Sequence, residues 1–473
     1  MRLSALIVAA TVINVPVAAY SQSDVDFKTT NQRAISEFKV GVRDFQYNSP
    51  EGAAGHFAAA LRADPNFGLA RVYWAFFGQL PDSKRDAEID RGIADAAARG
   101  TENELILALV FREIVAGRYK VAAALSRAAA TLRPGDRLAE FASTFDLGGS
   151  EALAAHRELA ARHPEYAATY NSLAGDLWGT GDSTGALAAA KKQIELEPNA
   201  SNAHDTYAHF LKLSGDFEAA KAHYVQAVKL PSPYPRSYTG LAQIAALHGN
   251  YDEARSYLNQ AITASYTPFE KLGYMRQIAG TYALQTGQVD AVVKQLESVA
   301  SAAKAEGRND LAAEVYGQIA ATEATRGNAD AAHRYIGMAK AIATKDAWWP
   351  HYYASAAHSS LKHWGPATSE LSALQSMAAS HPDMPPDLIA IAKGLILTRQ
   401  ENPAEALKVF MTADTTNFVV MNRIAEAHTA LGHSAEAATW NKRILDNYNI
   451  SLEDLREANA RRRAREEIAA ARQ

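Results

Sequence analysis

The chain has 473 residues, 48% hydrophobic and 21% charged, with a formal net charge of −4 and no cysteine. That balance belongs to a folded chain, long enough for several domains or one extended array. The small charge gives no global electrostatic reason to expect nucleic acid or an anionic membrane as partner, and the missing Cys excludes disulfides, thiolate metal sites, a Cys nucleophile and an acylated lipoprotein Cys.

The N-terminus places Met1-Arg2 before an apolar run from Leu3 to Val17, with small residues around Val17 to Ser21. This is the layout of a secretory signal peptide over residues 1–21, cleaved after Ala19 or Ser21. The run is short for a bilayer span and is interrupted by Asn14 and Pro16, so a retained anchor is the alternative reading. A periplasmic or secreted protein of a bacterial cell envelope is the expectation, since a large exported chain without disulfides suits that compartment.

Beyond the leader, the sequence repeats itself. In residues 31–166, Ala53, Phe57, Ala60 and Pro65 set a pattern that returns at Ala122, Ser126, Ala129 and Pro134, and again at Ala152, His156, Leu159 and Pro164. The last copy, near 135–166, leaves little room for a first helix. Residues 167–268 hold the clearest copies: GTGDSTGALAAAKKQIELEPNA lies over LSGDFEAAKAHYVQAVKLPSPY and then LHGNYDEARSYLNQAITASYTP, so that Gly181, Gly215 and Gly249 fall 34 residues apart. Across 269–451 the period loosens, with traces at Gly287, Gly327-Asn328, Ala367, Ala406 and Gly432.

Each copy reads as a helical hairpin. Offsets of 3, 4 and 7 put apolar residues on one helical face. Gly-Asp or Gly-Asn supplies a tight turn, a small Ala lets the second helix approach the first, and Pro closes the unit or opens the next. No hairpin can cover its own apolar faces, so neighbours must stack.

Within 269–451, Trp348-Trp349-Pro350-His351-Tyr352-Tyr353 opens a first helix that continues through Leu361. Its rings read mainly as packing, with Trp348 or His351 the candidates to remain partly exposed. The tail 452–473 is charged. Ser451 and Asp454 can form a capping box, Arg462–Glu466 and Arg463–Glu467 are helical pairs, and a solvated closing helix follows.

This pattern resembles the tetratricopeptide repeat (TPR) family. The resemblance rests on Tyr170, Leu173, Ala174, Leu177, Gly181, Ala186 and Pro198, on Tyr207, Ala208, Leu211, Gly215, Ala220, Tyr224 and Ala227, and on Tyr238, Leu241, Ala242, Gly249, Ala254, Leu258 and Ala261. It implies an all-α, right-handed superhelical solenoid of about twelve repeats with a C-terminal capping helix. It also implies a concave groove lined by Asn171, Trp178, Asn202, Asp205, His209, Lys212, Arg236 and Gln243, open to a peptide or partner protein. A chaperone-type carboxylate clamp is not implied, because Gly175, Thr239 and Ala246 stand where it uses Lys, Arg or Asn and only Lys212 and Arg236 are cationic.

Catalysis is not expected. Gly181-Asp182-Ser183-Thr184-Gly185 fits G-x-S-x-G, but a nucleophile elbow needs a strand before it, and this Gly-Asp recurs without Ser. Metal ligation and cofactors are not expected either: His204/His209 and His358/His363 are each five apart and share no helical face. The resulting reading is a non-catalytic protein-interaction scaffold of the envelope, with no nucleic acid or small-molecule substrate, and a membrane partner only if the leader is retained. A tethered assembly factor and a hydrolase using Ser183 are the alternatives.

Overall fold

A computed structural model describes residues 27–132, 137–144, 146–345, 347–381 and 384–470, so the leader 1–21 lies outside the described residues. Among them every regular element is an α-helix. In chain order these are α1 (Gln32–Tyr47), α2 (Pro50–Ala63), α3 (Gly68–Phe77), α4 (Asp82–Arg99), α5 (Glu102–Val115), α6 (Tyr119–Leu132), α7 (Arg137–Ala142), α8 (Gly149–Arg162), α9 (Ala167–Gly179), α10 (Ser183–Leu196), α11 (Ser201–Leu213), α12 (Phe217–Lys229) and α13 (Ser237–Leu247). They continue as α14 (Tyr251–Ala264), α15 (Pro268–Ala283), α16 (Val289–Ala305), α17 (Asn309–Thr325), α18 (Ala329–Ile342), α19 (Trp349–Ser360), α20 (Trp364–Ala378), α21 (Leu388–Arg399), α22 (Pro403–Phe410), α23 (Phe418–Ala430), α24 (Ser434–Leu445) and α25 (Leu455–Ala470). They fall into consecutive pairs followed by one terminal helix, the helical-repeat architecture the periodicity predicts.

The turns follow the residues expected to make them. Gly181, Gly215 and Gly249 adopt φ of +88°, +87° and +80°, a region where side chains are disfavoured. The next residue then caps the second helix: Asp182 accepts from the Gly185 N–H at 2.8 Å and Asp216 from the Ala219 N–H at 3.2 Å. Ser183 is thus the exposed first residue of α10, preceded by a helix and not by a strand. Ser183→Ala is expected to leave any ester or peptide hydrolysis by the purified protein unchanged.

The chain divides into two units. One comprises residues up to Ile244 together with Thr263–Glu270, and the other Ala245–Ile262 with Lys271 onward. In the first, small residues let the stacked helices close: Ala186 and Ala220 are fully buried, and Gly240 leaves the space that the Tyr224 ring fills. Its first repeats centre on rings, with Phe38, Phe57, Tyr73, Phe77 and Phe111 in mutual edge or tilted contact. The N-terminal hairpin also reaches far along the chain. Tyr47 packs with Ala167, Ala200 and Ala203, and the Asn48 side-chain oxygen accepts from both the N–H and the hydroxyl of Ser201 at 3.3 Å.

In the second unit α25 is embedded, and here the structure corrects the expectation of a solvated closing helix. Leu455, Glu457, Ala458, Ala460, Arg461 and Ala464 are buried. Its arginines serve as caps for other helices. Arg461 donates to the carbonyls of Ile444 (3.0 Å), in the last turn of α24, and of Asn447 (2.9 Å), just past its end. Arg462 and Arg465 donate to the carbonyls of Ala283 (3.2 Å) and Leu284 (2.8 Å), where α15 ends. Carbonyls in a last helical turn have no partner in their own helix, and a guanidinium supplies several donors at once. Gly280 of α15 admits the Leu452 carbonyl so closely that a Cβ there would clash with it. The Ser451 hydroxyl does accept from the Asp454 N–H (3.3 Å), but Glu457 rather than Asp454 returns the bond to the Ser451 N–H (3.0 Å). Arg462 pairs with Glu466 at 3.2 Å, whereas Arg463 turns to Glu426.

The aromatic run is packing. Trp348 is buried at 2% exposure, contrary to its expected partial exposure, and Tyr352 and Tyr353 are buried with it. Trp349 and His351 are half-buried. Trp349 stacks on Tyr353 with ring centroids 5.6 Å apart, and the Arg456 guanidinium covers Trp349 and Tyr352 at 5.4 and 5.5 Å. His351 Nδ1 donates to the Glu370 carboxylate at 2.7 Å. The rings therefore meet the C-terminal segment of their own chain.

Candidate functional site

The residues read from the sequence as a groove lie on the first helices α9, α11 and α13 of the first unit, with Arg236 just ahead of α13. Several of these side chains meet residues of the next repeat's first helix. Asn171 of α9 donates to Asn202 at 3.2 Å and to Thr206 at 2.6 Å, both on α11. Lys212 of α11 donates to Gln243 of α13. Asp205 accepts from the Ser237 hydroxyl at 2.5 Å. Trp178 packs on Phe210 with centroids 5.6 Å apart, and His209 meets the same ring edge-on at 5.4 Å.

Exposure along the row is uneven. Asn171, Asn202 and Lys212 are buried, while Trp178, Asp205, His209, Arg236 and Gln243 keep partly accessible surface. The buried members act as mortar between repeats, since a buried amide or ammonium must find partners and these find them in the neighbouring helix.

Three participants were not legible as such. Glu51 of α2, only 3% exposed, pairs with Arg236 although 185 residues separate them. Gln79 donates to Glu51 at 3.1 Å and accepts from the Thr267 hydroxyl at 2.8 Å. Glu270 accepts from the N–H groups of Tyr266 (2.8 Å) and Thr267 (3.2 Å), while Thr267 caps the Glu270 N–H at 3.2 Å. Thr267-Pro268-Phe269-Glu270 is a capping-box sequence, the one local signal that could have pointed to Glu270. Together these residues form a polar layer that joins the N-terminal hairpins to Arg236 and Thr267.

Burial sets the protonation of this layer. It pushes the Glu270 carboxyl up to about 8, helped by the nearby Glu51 carboxylate and opposed by Arg236 and the two N–H donors. It pushes Asp205 up to about 6 against the pull of Ser237, Lys212 and Arg236. It drives His209 down to about 3, with Lys212 adding to the effect. The two carboxyls hold their protons longer in the folded chain, so their contribution to stability falls as pH rises from the unfolded values through 6 and 8. Neutral His209 works the opposite way, with stability lost as pH falls from 6.5 towards 3. Between pH 6 and pH 8 Glu270 dominates. Glu270→Gln, which keeps an acceptor for both N–H groups, is expected to abolish a decline of up to about 2 kcal/mol over that interval. Thermal melts of both proteins across that range provide the measurement.

Stacked helical hairpins define a repeat scaffold. Residues 235–267 match the tetratricopeptide repeat family, over the third of the clear copies. No curated protein sequence matches the chain. Among solved structures, the chain is similar to YrrB, "a TPR protein with an unusual peptide-binding site", at 18% identity and a TM-score of 0.28 over 40% of this chain and 93% of that one. It is also similar to the Cut9–Hcn1 hetero-tetramer of the APC/C, at 15% identity and a TM-score of 0.40 over 88% of this chain and 78% of that one. The match thus falls on one helical hairpin of a chain whose regular elements, among the described residues, are all α-helices.

Proposed function

We propose that the protein is a non-catalytic interaction scaffold of the bacterial cell envelope, taking a peptide or protein partner along the inner wall of its first unit. The observation that supports this most is the row itself. Trp178, Asp205, His209, Arg236 and Gln243 present an aromatic ring, an acid, a base and an amide on one side of successive repeats, with surface left accessible. An extended peptide needs such a series: a ring to pack on and alternating donors and acceptors for its backbone. The envelope location rests on the composition of residues 1–21. Among the described residues no helix is long and apolar enough to cross a membrane.

Photo-crosslinking residues introduced singly at 178 and 209, with an outer control at the exposed Lys192 of α10, test the reading in cells. Adducts of defined mass from 178 and 209 but not from 192 are expected. Equal labelling from all three positions would remove the inner wall from consideration.

A further inference from the structure

We infer that the second unit holds a binding site for a late first-row divalent cation, Zn²⁺ or a close relative, built from His333, His358 and His363. Each offers a ring nitrogen, and the three nitrogens lie within 4.8 Å of one another. His333 comes from α18, His358 from the last turn of α19, and His363 from the turn into α20, so the site joins adjacent repeats.

The five-residue spacing that argues against a shared helical face does not apply here, because the helix stops between the two residues. α19 ends at Ser360, Lys362 takes a left-handed φ of +59°, and the His363 N–H returns to the His358 carbonyl at 2.8 Å. The turn folds the second ring back towards the first, with centroids 6.1 Å apart. The same device recurs at His428 and His433, where Gly432 has φ +76° and the two Nδ1 atoms lie 3.3 Å apart. What distinguishes the first pair is the third ring, His333, at 5.6 Å from His358 and 5.3 Å from His363.

One further observation points to a ligand. The Nδ1 of His358 is buried and makes no hydrogen bond among the described residues, an arrangement that folded chains avoid unless something else satisfies the nitrogen. His363 stands where Asp182, Asp216, Asn328 and Asn402 cap the helices of other repeats, yet its side chain caps nothing. Gln288, Arg308 and His433 likewise cap nothing at their helices, so the vacant cap leaves the His363 ring available to the site without singling it out.

The donor set selects the ion. Three neutral imidazoles with no carboxylate suit Zn²⁺, Cu²⁺ or Ni²⁺ and not the oxygen-seeking Mg²⁺ or Ca²⁺. With Zn–N bonds of about 2.0–2.1 Å, each nitrogen needs to move inward by less than about 1 Å to reach tetrahedral spacing. His333 and His363 are exposed, leaving the fourth position to water or to a side chain of a partner. Because a bound ion would tie α18 to α19 and α20, it would stiffen one interface of the array.

The test uses the untagged full-length chain, stripped with chelator and titrated with Zn²⁺ by calorimetry, with thermal melts alongside. One Zn²⁺ per chain is expected, together with a rise in Tm that Mg²⁺ does not produce. His333→Ala combined with His363→Ala should weaken binding by more than about 100-fold, since even outer-sphere changes weaken metal sites by 10–100-fold. His428→Ala with His433→Ala should bind as the parent does. His363→Asn restores a capping residue, so it should fold with an unchanged or higher metal-free Tm while losing the Zn²⁺ response. The proposal is overturned if the parent shows no Zn²⁺-dependent rise in Tm, or if His363→Asn responds to Zn²⁺ as the parent does.

Discussion

Arg461→Ala is expected to lower the stability of the last repeats by about 3–5 kcal/mol, the range for removing one partner of a buried ion pair. Arg461 is 3% exposed, and its Nε lies 2.9 Å from a Glu457 oxygen. Glu457, itself 6% exposed, would keep a buried charge with only the Ser451 N–H to answer it. The carbonyls of Ile444 and Asn447 would lose their donor as well, and Phe418 the guanidinium that lies 4.6 Å from its ring centre. Hydrogen exchange of α24 and α25 measures the loss as faster opening. Arg461→Met combined with Glu457→Leu is expected to lose less than Arg461→Ala alone, because it removes both charges and keeps the volume.

Ala220→Trp is expected to destabilise the first unit by more than about 3 kcal/mol. Ala220 is fully inaccessible on α12, at the position where the second helix of a repeat comes closest to its neighbours. An indole there exceeds the one or two added methylenes that already cost about 1–3 kcal/mol in packed cores. Ala222→Trp, on the exposed side of the same helix, should stay within about 0.5 kcal/mol of the parent. Urea denaturation followed by circular dichroism compares the two.

Features that were legible in the sequence are those fixed by neighbours along the chain. Gly181, Gly215 and Gly249 could be found because each turn needs a left-handed residue and glycine supplies it at even spacing. The period faded after residue 269 partly because that residue changes identity: Lys362 and Glu401 take φ of +59° and +60° at turns where a search for glycine finds none. Features set by distant parts of the chain could not be read. Nothing near Arg461 announces that its guanidinium caps α24, and nothing near Trp348 shows that it sits at 2% exposure. The same holds for the candidate site. The repeat pattern puts the residues from Asn171 to Gln243 on or beside first helices, but the link from Arg236 to Glu51 spans 185 residues. His358 and His363 fail a helical-face test in sequence because that test assumes the helix continues through them, and it ends at Ser360.

Hydrogen–deuterium exchange across the whole chain, comparing Ala220→Trp with its parent, tests most directly whether each helix pair is held by its neighbours. Nearest-neighbour stacking predicts that protection falls in α11 and α12 and in the helices packed on them, while α19 to α25 exchange at the parental rate. Loss of protection throughout all helices at once would contradict it.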